Sequence, residues 1–167
     1  MQKDRLKMGR VFCMLFIGLG MLSCNKDLVF SEYKNTENGV WDRNNAIQFQ
    51  FSDLDTTAAY NLFINIRNDD SFPYRNLFLI AELDFPNGQT MRDTLEYEMA
   101  LPNGQWLGKG RGNLKESKLW FKENIVFPSS GVYTLEISQA MRHLGQINGV
   151  VQLKGITDVG FQIEKSK

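Results

Sequence analysis

From Trp41 onward the apolar residues recur at every second position, and that period decides which folds are open to the chain. Ile47, Phe49 and Phe51 alternate with polar neighbours, and Tyr60, Leu62, Ile64 and Ile66 do the same. A period of two lines one face of a strand, whereas a helix face needs 3.6. Residues 77–85 (LFLIAELDF) are more continuously apolar, as expected of a strand buried on both faces. Residues 90–100, 119–127 and 132–138 are further strand candidates, and Val159, Phe161 and Ile163 close the chain with the same alternation. Pro86-Asn87-Gly88 and Pro128-Ser129-Ser130-Gly131 are turn signals. About seven or eight short strands joined by turns predict an all-β chain, an antiparallel β-sandwich of Ig-like or jelly-roll-like topology. Helix is expected only as a turn near residues 114–118 and another near 139–144.

The first 23 residues lie outside this pattern. Lys3, Arg5, Lys7 and Arg10 precede an apolar run of 12 at residues 11–22 (VFCMLFIGLGML), too short to span a bilayer as a stable helix. Ser23 then supplies a small residue before Cys24, the pattern of a lipoprotein signal peptide cleaved ahead of a lipidated cysteine. Met21 stands where such signals usually carry Leu. The expected organisation is a signal peptide over 1–23, a lipidated Cys24 and polar tether over 24–39, and a β-sandwich over 40–167. Val29, Phe30 and Tyr33 offer the tether a way to pack on the domain instead. Two or more acyl chains on Cys24 hold a protein to a membrane firmly; one holds it marginally.

The full chain has 167 residues, with 19 basic and 19 acidic side chains, one His and two Cys. That length suits one domain. Zero net charge argues against nucleic-acid binding through a basic face. After cleavage 144 residues remain, with net charge −3 and no free thiol once Cys24 is lipidated, so thiol catalysis and disulfides drop out. One His and few Cys make a zinc site hard to assemble, and no metal or cofactor is expected.

Several motifs invite chemistry and fall short of it. Gly108-Lys109-Gly110-Arg111-Gly112 resembles a phosphate loop, but Asn103 stands where the first Walker glycine belongs and Gly110 where Ser or Thr does. Asn113 breaks the dinucleotide pattern in the same way. Alternating glycines more often mark a bulge or a close backbone approach, and a basic loop is left as a contact site. In a strand Glu96 and Glu98 share one face and Asp93 takes the other, which identifies no glycosidase pair. Asp53 with Asp55, and Asp69 with Asp70, match no full calcium loop and suit turns. His143 has no nucleophile elbow beside it and suits a structural hydrogen bond. Trp41, Trp106 and Trp120 fit either a sugar-stacking platform or a core, with the core the commoner use.

Four stretches together are similar to the gliding-motility lipoprotein GldH family of Bacteroidetes. They are Ile66-Arg67-Asn68 with Phe72-Pro73-Tyr74-Arg75-Asn76-Leu77-Phe78; Asp93-Thr94-Leu95-Glu96; Gly104-Gln105-Trp106-Leu107-Gly108-Lys109-Gly110; and Gly131-Val132-Tyr133 through Gln139-Ala140-Met141-Arg142 to Gly155-Ile156-Thr157-Asp158-Val159-Gly160. The family often has Tyr-Pro-Tyr-Ser where this chain has Phe72 to Arg75. The resemblance implies an outer-membrane lipoprotein, lipid-anchored and not an enzyme, working with envelope proteins of the gliding or type IX secretion machinery. It supplies no catalytic residues. The Asp-Thr-apolar triplet at Thr94, and the related one at Thr56, resemble the O-glycosylation sequon of this phylum.

The resulting expectation is protein–protein contact through the loops of residues 72–75 and 105–111. The candidate contact residues are Arg67, Phe72, Tyr74, Arg75, Trp106, Lys109 and Arg111. The alternative expectation is a carbohydrate-binding lipoprotein of a polysaccharide-uptake system.

Overall fold

The structure, a computed structural model, describes residues 26–143, 145 and 147–167; the signal segment and Cys24 lie outside the described residues. Ten strands run β1 (Leu28–Asn35), β2 (Val40–Asp42), β3 (Ile47–Phe51), β4 (Ala59–Asn68), β5 (Asn76–Asp84), β6 (Thr90–Glu98), β7 (Lys115–Val126), β8 (Tyr133–Gln139), β9 (Gln152–Lys154) and β10 (Ile156–Lys165). Two four-stranded sheets form, one in the order β1-β10-β4-β7 and the other β3-β8-β5-β6, with β2 and β9 paired as a ribbon. All pairings between the strands are antiparallel.

The pairings nest. β5 pairs with β6, β4 with β7, β3 with β8 and β1 with β10, so the chain is one long hairpin rolled into two layers. That is the jelly-roll arrangement, and it settles the choice between the two topologies.

The alternation read in the sequence is what builds the core. Leu62, Ile64 and Ile66 of β4 face Val159, Phe161 and Ile163 of β10 on the inner side of the first sheet, all 0% exposed. Leu77, Leu79, Ala81 and Leu83 of β5, with Leu135 and Ile137 of β8, cover them from the second sheet, also at 0%. Full burial of each Leu, Ile, Val or Phe among them is worth about 1.5–3 kcal/mol before the entropy of ordering is set against it.

Three expectations change. Residues 77–85 are not buried on both faces, because Phe78, Ile80 and Glu82 lie on the half-exposed outer side of the second sheet. The strand covered on both sides is β4, whose outer Phe63 and Asn65 are 5% and 1% exposed beneath Trp120, Lys118 and Gln162. The segment expected as a tether over 24–39 contains β1, which pairs with β10 along its length, so the sandwich starts at Leu28 rather than at 40. The helical turns expected near 114–118 and 139–144 are absent among the described residues: Lys115 and Ser117 pair with Asn68 and Ile66, and β8 runs on to Gln139. The backbone donors that would have closed those turns are taken by neighbouring strands instead.

The nest also sorts the connections. Residues 52–58, 85–89 and 127–132 turn at one end of the sandwich, where Gly131 abuts Pro86. Residues 36–39, 43–46, 69–75, 99–114, 140–143 and 147–151 gather at the other end with the β2–β9 ribbon, and these include the longest loops.

Candidate functional site

The two loops singled out in the sequence meet at the long-loop end. In residues 69–75, Asp69 accepts the Ser71 amide at 2.8 Å and its carbonyl accepts the Phe72 amide at 3.2 Å. This tight turn drives Phe72 inward. Gly155, at φ +84°, lies against it so closely that a Cβ there would stand 2.1 Å from the Phe72 nitrogen. Around Phe72 sit Tyr74 and Trp106, with ring centroids 5.8 and 6.1 Å away. Trp106 Nε1 donates to Asp70 Oδ1 at 3.1 Å, and Tyr74 Oη meets His143 Nδ1 at 3.2 Å. The Arg75 carbonyl accepts the Met99 and Ala100 amides at 2.7 and 3.1 Å, and the Leu107 amide donates to Met99, which ties residues 99–107 to residues 72–75. Buried Gln139 holds the third loop, donating to the Val150 carbonyl at 2.7 Å and accepting the Met141 amide at 3.0 Å.

The glycine-rich segment forms a short rung on the free edge of β7. Lys109 and Glu116 exchange both backbone hydrogen bonds, at 2.8 and 2.7 Å. A Cβ at Gly108 would lie 2.8 Å from Ser117 Oγ, and one at Gly110 2.2 Å from the Leu114 carbonyl oxygen. Gly108 and Gly110 therefore serve close backbone approach, while Gly112 stands in open space at φ +64°. Beside this rung lies an open hollow of ≈ 950 Å³ whose lining includes Arg67, Leu107, Lys109, Arg111, Leu114 and Glu116.

Arg67 belongs to a second assembly, on the outer face of the first sheet. Its Nε contacts Glu116 Oε2 at 2.6 Å, Nη1 lies 3.9 Å from Asp158, and the guanidinium sits 4.3 Å from the centre of the Tyr33 ring. Tyr33 Oη donates to Glu116 Oε1 at 3.2 Å, and Asn35 donates to Asp158 at 2.9 Å. The Tyr33 ring lies over Gly160, where a Cβ would come within 2.7 Å of it. Burial, reinforced by the Glu116 carboxylate, pushes the Tyr33 hydroxyl up to about 12. The Glu116 hydrogen bond raises Arg67 further above its ordinary value. The sequence reading found Arg67 alone. Tyr33, Asn35, Glu116 and Asp158 were missed, and the one signal for Tyr33 was that Val29, Phe30 and Tyr33 give an otherwise polar segment a way to pack on the domain.

The remaining candidates are placed as follows. Phe72 is 3% exposed, so it supports its loop from inside and offers no contact surface. Tyr74 and Trp106 are half-buried, while Arg75, Lys109 and Arg111 are exposed, with Arg75 3.7 Å from Glu98. Thr94 is exposed in the middle of β6, and Thr56 is half-buried in a turn. Asp55 accepts both the amide and the hydroxyl of Thr57, which holds its carboxyl below the usual carboxylate range. Asp55 and Asp69 are thus turn acids, and among the described residues no three His, Cys, Asp or Glu side chains come together as a metal would require. Trp41 is buried at 2% and donates to the Asn45 carbonyl, whereas Trp120, 54% exposed, packs on Phe63, so the three tryptophans share no platform. His143 is exposed and keeps its hydrogen bond to Tyr74.

Fold and surface define the class: a small jelly-roll domain whose built features are a loop-end aromatic surface and a polar sheet face. The family model described as "GldH lipoprotein" matches residues 28–163, and the chain belongs to that family. It is 49% identical to the "Gliding motility lipoprotein GldH homolog" of Christiangramia forsetii, over 93% of this chain and 95% of that one. It is 45% identical to the "Gliding motility lipoprotein GldH" of Flavobacterium johnsoniae, over 91% and 94%. Among solved structures, the infectious bursal disease virus VP2 subviral particle aligns with a TM-score of 0.33 at 15% identity, over 83% of this chain and 30% of the viral one.

Proposed function

We propose that this chain is a lipid-anchored outer-membrane protein that serves gliding motility by protein–protein contact, as a non-enzymatic part of machinery linked to type IX secretion. Cys24 carries the lipid. The partners are envelope proteins, with no nucleic acid and no cofactor. The names of the two relatives support the motility role. The observation that carries the contact role is the convergence of residues 69–75 and 99–111 into one surface bearing Tyr74, Arg75, Trp106, Lys109 and Arg111. Tyr, Trp and Arg are the side chains that dominate contact energies at protein interfaces. Anchoring confines both partners to one envelope layer and raises their effective concentration, so a modest interface suffices.

The test is a clean deletion in the source organism, scored for gliding and for type IX cargo reaching the cell surface and medium. The expected result is loss of both, restored by the wild-type gene and not by Cys24→Ala or by the double variant Lys109→Glu/Arg111→Glu. Normal gliding and normal cargo in the deletion strain would sink the proposal. Restoration by the double variant would remove the loop surface from it.

A further inference from the structure

We infer that the short-loop end of the sandwich faces the lipid bilayer that holds the anchor, and that the long-loop end is presented to partners on the far side of the domain. The inference rests on lipidation of Cys24 as proposed above.

The first observation is how Asp27 is held. The Lys165 amide donates to the Asp27 carbonyl at 2.7 Å, and Lys167 Nζ lies 3.3 Å from the Asp27 carboxylate. The backbone is therefore tied to the first sheet from Asp27 onward. Only two residues stand between Cys24 and Asp27, and the three Cα–Cα steps reach at most about 11 Å when fully extended. The tether is thus short beside the domain it carries.

The second observation is the direction of the strands. β1 starts at the short-loop end, where Leu28 pairs with Glu164, and finishes at the long-loop end, where Asn35 pairs with Asp158. β4 spans the same distance in 10 residues. At the usual strand rise that is roughly 33 Å. Tyr74, Trp106 and Lys109 all belong to the end that β1 runs toward.

The third observation concerns which surface suits lipid. Leu28, Val29, Val126 and Val132 are 40–58% exposed, and all four lie at the short-loop end. Lys26 and Lys167 flank the same end. Tipping the domain sideways would bring either sheet face to the headgroups. The outer face of the second sheet carries Glu82, Glu96, Glu98 and Glu136, which anionic headgroups repel. The outer face of the first sheet carries the hydrogen-bonded Tyr33–Arg67–Glu116–Asp158 assembly, whose desolvation would be costly. The end-on pose avoids both penalties. Exposed apolar side chains do not choose between the two ends, since Leu107, Leu114, Ile147 and Val151 at the long-loop end are 40–92% exposed; the short tether at Asp27 makes that choice.

The experiment uses the lipidated full-length product reconstituted in vesicles of phosphatidylethanolamine and phosphatidylglycerol with a nitroxide headgroup lipid. A cysteine is introduced at one exposed site per protein, Ser130→Cys at the short-loop end or Asn113→Cys at the long-loop end, and labelled with a thiol-reactive fluorophore. Mature protein has no other free thiol. The expected result is several-fold stronger quenching of the label at 130 than at 113. Equal quenching, or stronger quenching at 113, in protein that floats with the vesicles would overturn the orientation while leaving the anchor intact. Protein that fails to float would overturn the anchored reading and this inference with it.

Discussion

Each end of the sandwich holds a group of aromatic rings, and the two groups are employed in opposite ways. At the short-loop end Phe51, Tyr60, Phe127 and Tyr133 are 1–4% exposed, and neighbouring ring centroids lie 4.8–5.8 Å apart. Their two hydroxyls hold turns: Tyr133 donates to the Ser129 carbonyl at 2.7 Å, and Tyr60 accepts the Asp55 amide at 2.9 Å. At the long-loop end Phe72 is 3% exposed, Tyr74 and Trp106 pack on it, and His143 packs on Tyr74, these three remaining partly open to solvent. The first group closes the core under short turns. The second gives enough support to set the loops and leaves ring surface for something else to cover. One fold thus separates an end closed over buried rings from an end whose rings stay partly open to solvent.

The sharpest way to break this comparison is Phe127→Ala. Removing a fully buried ring beside Phe51, Tyr60 and Tyr133 should cost about 3–5 kcal/mol in urea unfolding of the mature domain. A loss under about 1 kcal/mol would mean the short-loop cluster is not the clamp described. Gly155→Ala comes next. The new methyl would collide with the Phe72 backbone at a positive φ, and the expected cost is about 2–3 kcal/mol. The same measurement, joined to the part of the tryptophan emission that Trp106→Phe removes, should report a displaced 69–75 loop; an unshifted emission would separate the loop from Gly155.

A pH titration tests the sheet face that lies between the two ends. Tyr33 ionises near 10.0 when unfolded and near 12 when folded. A raised folded pKa means the folded state holds its proton longer, so the stabilisation is complete below pH 10 and disappears as pH climbs toward 12. Tyr97 behaves alike, through burial first and Asp93 second. Tyr33→Phe should flatten part of that alkaline loss, and stability curves parallel to wild type would contradict the Tyr33–Glu116 account. The smallest stability effect is expected for Lys109→Glu/Arg111→Glu, within about 0.5 kcal/mol of wild type because both side chains are exposed. That variant should lose motility all the same. Lost stability with kept motility would reverse the assignment of the long-loop end.

The strands with bulky alternation were legible because burial of one face is a local pattern. Phe49 and Phe51, or Leu77 and Leu79, declare their inner side within a few residues. β1 was not legible in this way: its LVFSEYKN is half polar, and it is a strand because β10 presents a free edge for it to pair with. β2 and β9, three residues each, carry too short a pattern to register, although Trp41 and Leu153 within them are core residues. Of the candidate site, Tyr74, Arg75, Trp106, Lys109 and Arg111 could be named from residue type and loop position. Phe72 could not be recognised as buried, because what covers it includes Gly155, 83 positions downstream.

The two-residue apolar period alone determined that this chain would be a β-sandwich, since alternation depends only on neighbouring residues. The tertiary structure alone decided that the sandwich is a jelly roll. Backbone hydrogen bonds are chemically alike in every strand, so partners are selected by how the whole set of apolar faces closes. The same closure brought Tyr33, Arg67, Glu116 and Asp158 to one point and gathered the loops of residues 69–75 and 99–114 at one end. No sequence pattern encodes those meetings, because each joins residues whose only common property is the place the fold gives them.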